Sequence, residues 1–188
     1  MTAQEIIDTL SKHRLTMGDF LLLDESGAFG DKRAELFGGE IFYMSPKHRP
    51  HARTVTDLSF AILNALKEIG SDLSVLIDVS LHISDYDVPE PDIVITNDPD
   101  GEGVVPLEAA KLVVEVSDAT LRVDLGAKAA LYGAAGIAEY WVVDVKARLI
   151  TQMSDPQPKG YATQTEVRFG QKIRSMTIAD LAVKTPNP

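Results

Sequence analysis

The sequence predicts an α/β fold in which a central mixed β-sheet is flanked by helices. Apolar strand-like runs alternate along the chain with amphipathic helical patterns, and glycine or proline separates many of them. The length of 188 residues and the ordinary shares of hydrophobic (45%) and charged (24%) residues indicate one soluble globular domain over residues 1–188.

The N-terminal part of the chain predicts two short helices followed by paired strands. An apolar stripe indicates a helix over residues 2–12, and Thr16 is placed to cap a second helix that contains Phe20. The run from 34 to 44 is typical of a strand pair or of one long strand, with a turn or bulge at Gly38-Gly39.

A long helix and three strands are predicted next. Apolar residues recur at helical spacing over residues 47–69, and Gly70 is placed to end that helix. The strand-like runs that follow are Leu73–Val79, Pro91–Thr96 and Lys111–Val116.

The C-terminal part predicts one more helix, one more strand and a hairpin. The helix covers residues 120–135 and ends at Gly136, and the strand covers residues 140–145. Weak alternation over residues 149 to about 174 indicates a β-hairpin, whereas the last residues, 185–188, are expected to be disordered.

The composition restricts what a functional site can contain. The chain has no cysteine and four histidines, so a metal ion would depend on oxygen or imidazole ligands, and oxygen ligands suit Mg²⁺, Mn²⁺ or Ca²⁺. A net charge of −10 counts against a broad non-specific nucleic-acid surface, although residues 47–53 form a local basic strip. Since we find no secretory signal and no apolar run of bilayer length, the expected location is the cytoplasm, with no membrane association.

Two acids and a lysine are candidates for a catalytic metal site. Glu115 interrupts an apolar strand, where an unpaired buried carboxylate would cost on the order of several kcal/mol, so it either meets a cation or faces water. Asp92 opens the preceding strand, where a simple turn residue is the alternative. Lys128 shares a helical face with Asp124 and Tyr132. It either forms a surface ion pair or reaches the strands that contain the two acids.

Two further residues have the same ambiguity. Glu40 follows a glycine pair and either brings another acid to the site or faces solvent, and His51 is either a packed or capping residue or a ligand. Taken together, two carboxylates that hold Mg²⁺ and a lysine that stabilises developing charge are what metal-assisted phosphodiester hydrolysis requires. The sequence has no GxxxxGK[ST] phosphate-binding loop and no GxSxG motif that would indicate other chemistry.

These residues also resemble a known pattern. Pro91-Asp92 and Glu115-Val116-Ser117 are similar to the motif of the PD-(D/E)XK nuclease superfamily, and residues 15–175 resemble the Uma-type restriction endonuclease family. The resemblance implies a restriction-endonuclease-like core and Mg²⁺- or Mn²⁺-dependent cleavage of DNA, commonly by a homodimer. The matching stretches are ELFGGEIFYMSP (35–46), PEPDIVI (89–95), LVVEVSDATLRVDLGAKAALYGAAGI (112–137) and AEYWVVDV (138–145).

The resemblance also implies roles for individual residues. Asp92, Glu115 and the backbone carbonyl of Val116 match the metal ligands. The superfamily usually has a lysine at the position of Ser117, and in this family the lysine that matches is Lys128, on the following helix. Other matching positions are Glu40, an acid that can join the site, and His51, Asp124 and Tyr132, whose roles are supporting.

The sequence leaves three functions open. The first is a divalent-metal-dependent DNA endonuclease. The second is a catalytically inactive nuclease fold that acts through DNA or protein partners, which the acidic charge and Ser117 favour. The third is a hydrolase of another phosphodiester, because the same metal chemistry serves smaller substrates.

Overall fold

The structure is a computed structural model that describes residues 2 and 13–187, so the predicted helix at 2–12 lies outside the described residues except for Thr2. Three helices are described. They are α1 (Met17–Glu25), α2 (Arg49–Glu68) and α3, which joins α-helical Leu121–Val123, a π-helical turn at Asp124–Lys128 and α-helical Ala129–Ala134. A 3₁₀ turn lies at Leu107–Ala109. The strands β1 to β12 are, in chain order, Ala34–Phe37, Glu40–Tyr43, Ser74–Ile77, Leu81–His82, Ile93–Thr96, Val105–Pro106, Ala110–Ser117, Glu139–Asp144, Leu149–Gln157, Gly160–Arg168, Lys172–Arg174 and Ala182–Lys184.

A six-stranded mixed sheet in the order β10-β9-β8-β7-β5-β3 forms the centre of the molecule. Within it β7 and β8 are parallel, whereas the other neighbouring strands are antiparallel. Parallel strands cannot be joined by a tight turn, and α3 is the crossover between these two. The predicted α/β fold with a mixed sheet between helices is therefore confirmed.

The two faces of β7 pack against different helices. Val114 belongs to a core cluster with Leu58 of α2, whereas Val113 belongs to a second cluster with Tyr132 of α3. Because side chains alternate across a strand, Glu115 projects from β7 towards the same side as Val113, where α3 lies. The crossover helix and the acid are thus on one face of the sheet.

The N-terminal elements form a smaller layer with its own apolar cluster, which includes Phe20 and Leu36. Thr16 caps α1 through a capping box with Asp19, and β1 pairs with β2, which confirms the predicted second helix and strand pair. The layer joins the rest of the chain through the bridge between Leu36 and Val88.

The long helix and the C-terminal hairpin are also confirmed, with β9 and β10 as the two strands of the hairpin. The hairpin ends at Arg168, earlier than expected, because β11 pairs with β12 instead. Residue 185 does not fit the expected disorder of 185–188, since the Thr185 side chain is buried and donates a hydrogen bond to the Gln171 carbonyl. In the described part of the chain, no helix is both long and apolar enough to span a bilayer.

Candidate active site

Most of the predicted site residues line one cleft with a volume of about 300 Å³. The cleft lies where α2 begins, where β5 and β7 approach each other, and where α3 crosses the sheet. The predicted residues that line it are His51, Asp92, Glu115, Val116, Asp124 and Lys128.

Lys128 is the buried cation of the cleft. Its ammonium donates hydrogen bonds of 2.8 Å to Glu115 Oε1 and of 2.8 Å to Glu35 Oε1. Tyr132, one turn further along α3, contacts the same acid from behind through a 3.0 Å hydrogen bond from its hydroxyl to Glu115 Oε1. Lys128 is therefore the cation that a buried Glu115 in an apolar strand requires, and it also serves the buried Glu35.

The π-helical turn of α3 presents Asp124 and Lys128 to the sheet, and both side chains are buried. Asp124 does not form a surface ion pair. Its Oδ2 accepts hydrogen bonds of 2.6 Å from Ser117 Oγ and of 2.6 Å from Thr120 Oγ1. Ser117 therefore holds α3 against β7 through Asp124, and the amine of Lys128 reaches Glu115 from the same helix. π-Helical turns such as Asp124–Lys128 are frequent at functional sites.

Asp92 is held from two sides. Its Oδ2 accepts a 2.7 Å hydrogen bond from the Val116 backbone N–H, and its Oδ1 accepts a 2.6 Å hydrogen bond from Lys47 Nζ. His51 Nδ1 lies 2.8 Å from the Val116 carbonyl oxygen. Because a carbonyl oxygen can only accept a hydrogen bond, Nδ1 is the ring nitrogen that has the hydrogen. The other ring nitrogen, Nε2, lies 3.2 Å from Asp92 Oδ1 but is not aligned for a hydrogen bond.

Burial is the largest influence on Glu115 and raises its pKa to about 8. Lys128 opposes this rise, whereas the nearby carboxylates of Asp92, Asp124 and Glu35 add to it. Burial and the neighbouring carboxylates together therefore outweigh the effect of the Lys128 ammonium on the pKa of Glu115.

The other charged groups keep their charges for identifiable reasons. Burial acts to raise the pKa of Asp92, but His51 and Lys47 outweigh it and hold that pKa below its ordinary value. Burial acts to lower the pKa of Lys128, yet its two carboxylate partners outweigh burial and raise it. At neutral pH the cleft therefore contains an ionised Asp92 and a protonated Lys128.

The carboxylate, carbonyl and imidazole groups of the cleft are the types of donor that a divalent cation takes. No described residue donates a hydrogen bond to Glu115 Oε2, and His51 Nε2 is a buried nitrogen without a hydrogen-bond partner among residues 2 and 13–187. A histidine whose other ring N–H donates to a backbone carbonyl is the usual arrangement beside a metal. As they stand, however, no three acidic or histidine side chains of the described chain enclose a common point at which a metal could bind.

The structure does not bring Glu40 into this cleft. Glu40 is exposed on β2, and Glu35 on β1 is the acid that contacts Lys128. Sequence reasoning missed Glu35, although it interrupts an apolar strand between Ala34 and Leu36 just as Glu115 does. It also missed Lys47 as a site residue, because the only signal was its membership of the basic strip.

Comparisons with known proteins find one family and two solved structures that this chain resembles. A model of the Uma2 family, described as "Putative restriction endonuclease", matches residues 18–184. A crystal structure described as a putative nuclease belonging to DUF820, from Anabaena variabilis ATCC 29413, is similar with a TM-score of 0.66 and 15% identity. That likeness covers 86% of this chain and 89% of the other. The type IIG restriction endonuclease BpuSI gives a TM-score of 0.42 at 17% identity, over 62% of this chain and 14% of that one. No curated protein matches the sequence.

Proposed function

Because the chain belongs to the Uma2 family, we propose that it is a Mg²⁺- or Mn²⁺-dependent endonuclease that hydrolyses phosphodiester bonds in DNA. The observation that supports this most is the meeting of Asp92, Glu115 and Lys128 in one cleft, although they come from separate parts of the chain. Two acids and a buried amine are the groups that metal-assisted phosphodiester hydrolysis needs. A cytoplasmic homodimer completes the proposal, and light scattering tests the dimer.

The metal would be held by carboxylate oxygens of Asp92 and Glu115 and by the carbonyl of Val116, with His51 Nε2 as a neighbouring nitrogen donor. When bound, a divalent cation polarises the phosphate and lowers the pKa of a water molecule. The backbone of Val116 links these groups, since its N–H bonds to Asp92 and its carbonyl to His51. A shift of this peptide would therefore move the proposed ligands together.

Lys128 stabilises the negative charge that develops on the phosphate, or orients the attacking water. Its ammonium is held between Glu115 and Glu35, so its position is defined before a substrate arrives. Such preorganised charge is effective because nothing has to reorient during the reaction. The amine of Lys128 thereby takes the role that the superfamily gives to a lysine at the position of Ser117.

The proposal is tested by substituting Glu115→Gln, which removes the charge while keeping the shape. We expect the wild-type chain to bind Mn²⁺ in calorimetry and to cleave DNA, and the variant to cleave at least about 100-fold more slowly. Glu108→Gln, an exposed acid outside the cleft, is the matched control and keeps full activity.

The outcomes separate the three functions. Unchanged cleavage by the Glu115→Gln variant would rule out the proposed mechanism. Absence of both Mn²⁺ binding and cleavage of duplex, flap and single-stranded DNA would favour the inactive binding module. Cleavage only within a panel of nucleotides and other phosphodiesters would favour the third function.

A further inference from the structure

The ammonium of Lys47 is hydrogen-bonded to the oxygen of Asp92 that the proposed metal would bind. Lys47 lies in the irregular segment of residues 44–48 between β2 and α2, and its ammonium is 2.6 Å from Asp92 Oδ1. The other carboxylate oxygen, Oδ2, already accepts the Val116 N–H at 2.7 Å. The oxygen that is left for a cation is therefore the one on which Lys47 lies.

Lys47 also has a second carboxylate partner outside the cleft. The same ammonium donates a hydrogen bond to Asp78 Oδ1. The Asp78 side chain is 39% exposed, whereas that of Asp92 is 5% exposed. The Asp78 backbone N–H bonds to the Asp92 carbonyl at 3.1 Å, which keeps the two acids adjacent. Arg33 Nη2 lies 3.3 Å from Asp78 Oδ1 as well, so this outer acid attracts two cations.

We propose that Lys47 holds the cation position on Asp92 in the metal-free protein, and that a divalent metal displaces it towards Asp78. This inference rests on the metal site of the proposed function. An ammonium and a divalent ion on one carboxylate oxygen repel each other strongly, because like charges a few ångströms apart are costly beside a buried carboxylate. Lys47 is only partly buried and keeps one partner after release, so it is the group that moves.

The proposal also explains part of the basic strip at the start of α2, because Lys47 together with His51 compensates the buried Asp92. Lys47 is thus a positioning residue that competes with the metal.

Calorimetric titration of Mn²⁺ into the full chain tests the competition. Lys47→Met removes the competing ammonium, so we expect the Kd for Mn²⁺ to fall by about tenfold, the size expected for losing one charged hydrogen bond. The matched control is Lys146→Met. Lys146 is an exposed lysine 3.6 Å from Asp118 at the cleft rim, so this control loses the same charge without touching Asp92.

The Asp78→Asn substitution is an independent test. It removes the carboxylate that would hold the displaced ammonium, so Mn²⁺ should bind more weakly than to the wild type. This loss should disappear in the Lys47→Met background. A general charge effect of Asp78 would instead persist in the double variant, and that persistence would contradict the proposal.

A third measurement needs no substitution. Mn²⁺ should increase the labelling of Lys47 by acetic anhydride, measured by mass spectrometry, while labelling of Lys146 stays constant. Unchanged or weaker Mn²⁺ binding by the Lys47→Met variant, with normal binding by the wild type, would overturn this inference alone. No binding by either protein would overturn the proposed function and this inference together.

Discussion

Lys128 donates a 2.8 Å hydrogen bond to Glu35, a residue 93 positions earlier in the chain. The same ammonium donates to Glu115, so replacing it by methionine leaves two buried acids without their shared donor and Glu35 without its cation. We expect Lys128→Met to lower the free energy of unfolding by about 3–5 kcal/mol, the usual cost of breaking a buried ion pair on one side. Urea denaturation in the presence of EDTA measures this change.

The control for that substitution is Lys67→Met, because Lys67 is an exposed lysine near the end of α2. Its loss should change stability by less than about 0.5 kcal/mol. A Lys128→Met variant no less stable than this control would show that Glu35 and Glu115 do not depend on the ammonium.

The raised pKa of Glu115 predicts a pH dependence of stability in the metal-free protein. The pKa rises from 4.5 in the unfolded chain to about 8 in the folded one, so the folded state keeps a proton that the unfolded state releases. This contribution is complete below about pH 4.5 and is lost as the pH rises through 8. Stability should therefore fall across this interval. In the Glu115→Gln variant the fall should be smaller, as urea midpoints across the same interval would report, and parallel curves for the two proteins would contradict the assignment.

Glu139 is predicted to be essential for stability and not for chemistry. Replacing this buried acid by glutamine turns one acceptor oxygen into a donor that faces other donors, so we expect a loss of about 3 kcal/mol in urea denaturation. Mn²⁺ binding should persist in the folded fraction, because Glu139 does not line the cleft. Glu166→Gln, on the exposed part of β10, is the control and should be neutral. The six hydrogen bonds that Glu139 accepts come from Trp141 Nε1, Gln152 Nε2, Ser175 Oγ, the Met176 N–H, the Thr177 N–H and Thr177 Oγ1.

The close approach of α3 to β10 predicts that Gly133 tolerates no side chain. A Cβ there would stand 2.7 Å from Gly160 Cα and still closer to the Gly160 carbonyl, so helix and strand would have to separate. We expect Gly133→Ala to lower stability by about 3 kcal/mol, at the upper end for overpacking. Gly126→Ala, in the same helix, meets no atom within 4 Å and should be neutral or stabilising in thermal unfolding. Equal stability of the two variants would contradict this packing.

The helices were predictable because their apolar residues repeat at helical spacing, as α2 shows with buried Val55, Leu58 and Ile62. The order of the strands was not predictable, because long-range packing and not the local sequence determines that β7 pairs with β8. The pairing of β11 with β12 was missed for another reason. Each strand has three residues, too few for a period-two pattern.

The candidate site shows the same division between local and long-range information. Asp92, Glu115 and Lys128 stand in or beside patterned elements, so their types and order were informative. Glu35 and Glu40 flank one glycine turn, and the choice between them depends on which strand meets Val88 across the molecule. The local pattern nevertheless favoured Glu35, which lies between buried apolar neighbours.

Glu35 belongs to the small N-terminal layer, whose apolar cluster around Phe20 and Leu36 is separate from the two clusters of the sheet. Small units of this kind open locally at a lower free energy than the whole molecule. Each such opening would remove one wall of the cleft and leave Lys128 with Glu115 alone, while the sheet stays folded. The fraction of molecules with a complete cleft would then depend on how often this layer opens, in addition to global unfolding. Substitutions far from the cleft, in the Phe20 cluster, would act on it directly.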